Sequence, residues 1–306
     1  MKLFGPPDIE KLRSSRSTKK LIKAMKYDKD PSIPLEAVKA LGELGCVDAV
    51  GPIGELLVGS WGLNPEEGMV ATVALGEIGH GGALPYLRQA LQRKEFDENL
   101  RQLLFLKRKL ALHKNGMSFD KAEQCATIWI ERKEHLLTAV RVGAARALGE
   151  IDENSTTDIL IEALTKEEDS LVAAICAESL ARKGAIAAQK LSALLPQLNG
   201  LAAKMATRAL NQLEDDLWLP SAEEIAEELA ATVKIHLILN THDAALDTYD
   251  GAELNMEKVQ QTSIEEACAI TFAKYEISED HERNRIIEIA GGYIDGEKDT
   301  APLPVG

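Results

Sequence analysis

The sequence predicts an all-α protein: an α-solenoid of stacked antiparallel helix pairs, closed by a helical C-terminal cap. Three observations carry this expectation. The first is Val140-Arg141-Val142-Gly143-Ala144-Ala145-Arg146-Ala147-Leu148-Gly149-Glu150-Ile151, where Val140, Ala144, Leu148 and Ile151 fall on one helical face. The second is recurrence. Ala40-Leu41-Gly42-Glu43-Leu44-Gly45 and Ala74-Leu75-Gly76-Glu77-Ile78-Gly79 repeat its second half almost letter for letter, as stacked units do. The third is composition. Apolar residues make up 45% of the 306, yet aromatics only 4%, so Ala and Leu carry the apolar side. That suits thin, closely stacked helices better than a sheet, which favours β-branched and aromatic residues.

Residues 1–33 read as N-terminal helices leading into the array. Pro6-Pro7 opens a short helix, since proline is tolerated in a first turn. A second helix, about Thr18 to Tyr27, ends at Asp30-Pro31. The array itself is expected over 34–213. Its central leucines are Leu41, Leu75, Leu148, Leu180 and Leu210, spaced by 34, 73, 32 and 30 residues. The spacing of 73 is close to two units and predicts one divergent unit at 96–134, with helices of about 97–113 and 119–133 joined at Asn115-Gly116. Each unit reads as helix, tight turn, helix. Small residues at Ala37, Ala71 and Ala144, and at Ala40, Ala74 and Ala147, permit close approach of neighbouring helices. Gly45 and Gly79 sit where a helix end needs the left-handed conformation. Gly42, Gly76 and Gly149 lie inside helices at a cost of about 1 kcal/mol each relative to alanine, which predicts close contact with the paired helix. Ser155 with Asp158 suggests a capping box for one second helix.

Beyond Leu213 the repeat fades. Ser221 with Glu224 predicts a capped helix through about Leu239, then a polar loop at 240–254. Helices of about 256–275 and 280–291 and a tail from Asp295 follow. Residues 214–306 thus form an acidic helical C-terminal region with a tail.

The motif Ala-Leu-Gly-Glu-Leu/Ile-Gly, followed by a short apolar helix with Pro52 or Pro85 near its start, resembles the HEAT-like repeats of the phycobilisome-lyase type. The segment Phe4-Gly5-Pro6-Pro7-Asp8-Ile9-Glu10-Lys11-Leu12 is similar to the N-termini of prokaryotic proteins of that class. The resemblance covers about residues 4–213. The arginine usual near the start of the first helix appears as Arg141, and Ile33-Pro34 replaces it in the first clear unit. What the resemblance implies is a fold and a binding surface along the second helices. By the core register, Glu55, Arg88, Gln89 and Glu162 then point outward and are the expected partner-binding residues.

Enzymatic readings find little support in the residues. Deoxyhypusine hydroxylases, which resemble HEAT-like proteins, hold two irons with several His-Glu pairs; this chain has one His-Glu step, His281-Glu282, outside the clear repeats. HEAT-like DNA glycosylases use a basic face with aromatic residues. Trp61 and Trp129 could serve there, but a net charge of −14 argues against nucleic acid, and they read as core or loop anchors. Gly79-His80-Gly81-Gly82 follows a helix rather than a strand, so it reads as a cap and turn and not a phosphate loop. Thr241-His242-Asp243 reads as loop, because adjacent side chains diverge. His113 and His135 stand isolated. Cys46, Cys125, Cys176 and Cys268 are too far apart for a metal knuckle or redox pair, and Cys176 and Cys268, inside helical Ala-rich patterns, read as buried free thiols. No catalytic residue, cofactor or metal is expected. The N-terminus has no long apolar run and no stretch reaches the roughly 18 apolar residues of a membrane span, so a cytoplasmic location is expected.

Charge is unevenly spread. Residues 214–306 hold 22 Asp and Glu against 6 Lys and Arg, a net of −16, whereas 1–26 carry +6. These features predict a non-enzymatic scaffold or adaptor that binds another protein on the inner face of the solenoid. A basic partner suits the acidic C-terminal region, and self-association through the basic N-terminus competes with it. The alternative is a phycobilin lyase, or a chaperone for attachment of that tetrapyrrole chromophore.

Overall fold

The computed structural model describes residues 6–60, 65–93, 98–214, 221–247 and 256–294. Among them every regular element is a helix, and the helices stack in the manner of a HEAT-repeat solenoid. Two short helices, α1 (Ile9–Ser14) and α2 (Thr18–Ala24), precede the array. Asp8 caps α1 by accepting the Lys11 N–H at 3.0 Å, so Pro6-Pro7 precede the cap and do not form the first turn. The first helices of the pairs are α3 (Ser32–Glu43), α5 (Pro65–Ile78), the C-terminal half of α8 (Phe119–Glu150), α10 (Ser170–Ala181) and α12 (Gly200–Glu214). The second helices are α4 (Val50–Ser60), α6 (Leu84–Gln92), α9 (Asn154–Lys166) and α11 (Ala185–Leu194). First helices pack on first helices in the order α3, α5, α8, α10, α12.

The turns inside the pairs follow the local chemistry expected of them. Gly45 has φ +60°, its N–H bonds Gly42 O at 2.8 Å, and the Cys46 N–H bonds Leu41 O at 3.1 Å. That is a Schellman closure, and Gly79 at φ +65° takes the corresponding place after α5. His80 then caps the next turn, its Nδ1 accepting the Gly82 N–H at 3.0 Å, so the Gly-His-Gly-Gly run is indeed cap and turn. Pro85 lies in the first turn of α6, where its missing donor costs nothing.

The interior glycines answer to a different neighbour than the sequence suggested. A Cβ on Gly42 would lie 2.8 Å from the Cα of Ala74, one on Gly76 3.1 Å from that of Ala147, and one on Gly149 2.9 Å from the Cβ of Ser179. Each glycine therefore faces the first helix of the following pair. The Ala-Leu-Gly-Glu motif is a stacking motif, with glycine on one helix meeting a small residue on the next.

Residues 96–134 are not a stacked unit. Gly76 of α5 meets Ala147 of α8, and Thr72 of α5 lies against Gly143, so the array passes from α5 straight to the second half of α8. The interval of 73 residues is one repeat plus an inserted hairpin, made of α7 (Glu98–Lys114) and the first half of α8. The helices expected at 119–133 and from 140 are one helix of 32 residues. The hairpin turns at Gly116, φ +99°, and Ser118 accepts the Lys121 N–H at 3.4 Å to start α8. Ion pairs of Glu66 with Lys133 (2.7 Å) and Arg132 (3.0 Å) anchor it to α5.

Three further helices follow: α13 (Ala222–Asp247), α14 (Met256–Lys274) and α15 (Asp280–Ile294). The capping box is present in both directions, Ser221 N–H to Glu224 Oε2 at 2.9 Å and Glu224 N–H to Ser221 Oγ at 3.2 Å. The helix it starts runs eight residues past Leu239, so Thr241-His242-Asp243 are helical and not in a loop. Ser155 does not cap α9, which begins at Asn154 with Glu153 before it. These last helices share a core of their own around Leu229, Phe272 and Ile286, and α13 packs on α10 and α8. Trp61, Trp218 and the tail from Asp295 lie outside the described residues.

Candidate partner-binding face

The second helices expose charged side chains at the positions the core register marks. Glu55 on α4, with Arg88 and Gln89 on α6, are exposed; Glu162 on α9 is half-buried. The structure brings two of the four together. Arg88 reaches across from α6 to Glu162 at 2.5 Å, and Lys166 reaches the other oxygen of that carboxylate at 3.0 Å. The Lys166 hydrogen bond, with help from Arg88, holds the Glu162 carboxyl below its ordinary pKa. One pair further on, Lys190 of α11 pairs with Asp158 of α9. Asp158 is thus an inter-repeat partner and not half of a capping box. Solvent-exposed pairs of this kind contribute little stability, so they remain free to exchange partners.

The first helices show the opposite behaviour along their outer register. The position two before the central leucine is exposed at Lys39, Val73 and Arg146, half-buried at Glu178 and buried at Arg208. The C-terminal helices cover the last two. Lys274 of α14 lies 2.6 Å from both Glu178 and Glu228, the Tyr275 hydroxyl donates to Glu228 at 2.6 Å, and Arg208 donates to the Tyr275 oxygen at 2.9 Å. Two cations thus balance two carboxylates where α10, α12, α13 and α14 meet. Burial pushes the Glu228 carboxyl up, but Lys274, Tyr275 and Arg208 together hold it below its usual value. Burial and the Glu228 charge push the Tyr275 hydroxyl up to about 12. The sequence reading missed this network, although the spacing of 30 between Glu178 and Arg208 places both at one repeat position.

Arg141 sits deep in the array. Its Nε donates to Leu91 O at 3.2 Å and its Nη2 pairs with Glu167. Glu167 also accepts the N–H groups of Glu168 (3.0 Å) and Asp169 (2.9 Å), so one arginine joins α6, α8 and the turn before α10. This is a buried structural staple. Nearby Cys176 is fully buried, and burial together with the Glu167 charge pushes its thiol up to about 12. Cys46 is buried too, while Cys125 and Cys268 are only half-buried, contrary to the expectation for Cys268. Glu77 is raised by partial burial and by the like charges of Glu43 and Glu150 at the same position of the adjoining first helices.

The remaining candidates resolve into structural roles. Trp129 is partly buried in the hairpin, with Lys133 5.5 Å and Arg108 5.7 Å from its ring centre. His113 is not isolated: its Nδ1 lies 2.9 Å from Met117 O and its ring stands edge-on to Phe119. His281 is exposed beside Glu279. Among the described residues no three His, Cys, Asp or Glu side chains are grouped to hold a metal ion, and no helix is long and apolar enough to cross a membrane.

No curated protein matches this chain. Two family comparisons do. Residues 18–104 match HEAT repeats, and residues 140–166 match the PBS lyase HEAT-like repeat. The first match runs from α2 into the start of α7 and the second covers the end of α8 and α9, so most of the inserted hairpin lies between them. The chain therefore carries HEAT-like repeats over these two stretches.

Proposed function

We propose that this chain is a non-enzymatic scaffold or adaptor that binds another protein along its second helices. One observation carries the reading. Glu55, Arg88 and Gln89 are exposed and Glu162 half-buried on three successive second helices, while the C-terminal helices occupy the outer register of the last first helices. Repeat arrays present such extended surfaces and no single deep pocket. The acidic C-terminal region, net −16, favours a basic partner by speeding encounter at low salt. Affinity capture with the wild type and with a Glu55→Arg, Arg88→Glu, Gln89→Glu, Glu162→Arg variant, read by quantitative mass spectrometry, tests this. The expected result is loss of one or more specific partners, with a melting temperature within a degree or two of wild type. An unchanged partner set rejects this face. The PBS lyase-type repeat at 140–166 leaves a second reading, tetrapyrrole attachment, which a phycobilin absorbance titration decides.

A further inference from the structure

The inserted hairpin carries an apolar face that nothing among the described residues covers. Helix α7 packs on α8 through Leu104 and Leu112, but Leu103, Leu106 and Leu110 are 48%, 52% and 60% exposed. Their spacing puts them on one stripe, with Lys107 beside them. Of the helix's five Lys and Arg, Arg101 and Lys109 pair with Glu134 and Glu123 of α8, while exposed Lys107 gives the stripe its positive charge. Single exposed leucines need no explanation; three in register on one helix do.

At the other end of the chain lies a feature of opposite character. Helices α14 and α15 enclose an open groove of about 540 Å³ lined by Cys268, Ala269, Phe272, Ala273 and Ile287, with Glu265 and Asp280 at its rim. Ile287 is 37% exposed and neighbouring Ile270 53%. The cation in the groove, Arg283, is turned inward: its Nε donates to Ile277 O at 2.8 Å and its guanidinium lies over the Phe272 ring. Residues 256–294 hold eight acidic and four basic side chains, and Lys274 is already engaged with Glu178 and Glu228. An apolar floor with an acidic rim suits a leucine-bearing, basic helix laid into it.

We propose that the α7 stripe of one copy docks in the α14–α15 groove of a second copy. The two surfaces differ, so the contact is heterologous and propagates head to tail, or closes into a ring if the rotation allows. One helix in one open groove is a small interface, so affinity in the micromolar range, about 1–100 µM, is expected. Sedimentation velocity of the full chain from about 1 to 200 µM should show concentration-dependent assembly, weaker as salt rises because the surfaces are of opposite charge. Leu106→Glu with Leu110→Glu should give a monomer at every concentration, and so should Ile287→Glu. All three positions are exposed, and circular dichroism checks that each variant is folded. Mixing the two variants is the decisive arm. One retains an intact groove and the other an intact stripe, so they should form a 1:1 dimer that grows no further. A wild type that stays monomeric overturns the proposal, as does assembly that survives both variants, or a mixture that fails to pair. Vesicles with an anionic lipid fraction serve as a counter-probe: a monomeric wild type that binds them through Leu106 and Leu110 would assign the stripe to a membrane surface instead.

Discussion

Gly42 lies so close to the neighbouring first helix that a Cβ there would meet the Cα of Ala74 at 2.8 Å, a backbone atom that cannot swing aside. Helix propensity favours alanine over glycine by about 1 kcal/mol, whereas overpacking a tight contact costs about 1–3 kcal/mol. The second effect should win, so Gly42→Ala is expected to lower the urea midpoint. Gly291→Ala in α15, with no atom within 4 Å, should raise it. A stabilised Gly42→Ala would mean that the first helices are not in close contact. Arg141 sets a larger magnitude. Arg141→Met would leave the Glu167 carboxylate buried with only two backbone donors, a loss of about 3–5 kcal/mol in chemical unfolding. Combining it with Glu167→Gln should recover part of that loss, because no net charge then stays buried. Absence of recovery would show that the arginine acts through packing alone.

At the level of elements, the inserted hairpin shows both the reach and the limit of the sequence. Repeated Ala-Leu-Gly-Glu runs disclosed the stacking helices, their capping glycines and their turns, because those depend on local chemistry. Periodicity does not say which helices touch, and an interval of 73 fits two units as well as one unit and an insertion. Two signals were available. Leu103-Leu104-Phe105-Leu106 puts bulk where a stacking helix needs small residues, and nothing between Lys133 and Val140 breaks a helix. The bond from Arg141 to Leu91 O shows that the two ends of the insertion lie close together. Replacing residues 94–135 by a short flexible linker should therefore leave a helical, cooperatively unfolding array. Its melting temperature should fall, through loss of Leu104 and Ile130 from the core and of Arg132 and Lys133 from Glu66. Global unfolding of that variant would make the hairpin an integral repeat.

The whole molecule joins a repeat array to an acidic helical module, and the join is the network of Glu178, Arg208, Glu228, Lys274 and Tyr275. The register of the second helices made Glu55, Arg88 and Gln89 legible as exposed, while Glu162 is half-buried beside Arg88. The join was not legible, because its members are brought together only by docking of α13 and α14 on α10 and α12. Its chemistry predicts how docking depends on pH. Glu228 titrates below its ordinary value when docked, so its contribution is fully present above about pH 4.5 and is lost as pH falls through the docked value. Lys274 is shifted the opposite way: burial lowers it, but Glu228 and Glu178 outweigh that and raise it. Its contribution is present below its ordinary value of 10.5 and is lost only as pH rises through the docked one. Hydrogen exchange should therefore show α13–α15 protected across the neutral range and released on the acid side while α3 and α5 stay protected. Lys274→Met should lower that protection and move the acid edge upward, since Glu228 loses the cation that contributes most to holding its carboxyl low. Loss of protection in α3, α5 and α13–α15 at one common pH, unmoved by Lys274→Met, would mean that the array and the module unfold as a single unit and that this network does not govern their docking.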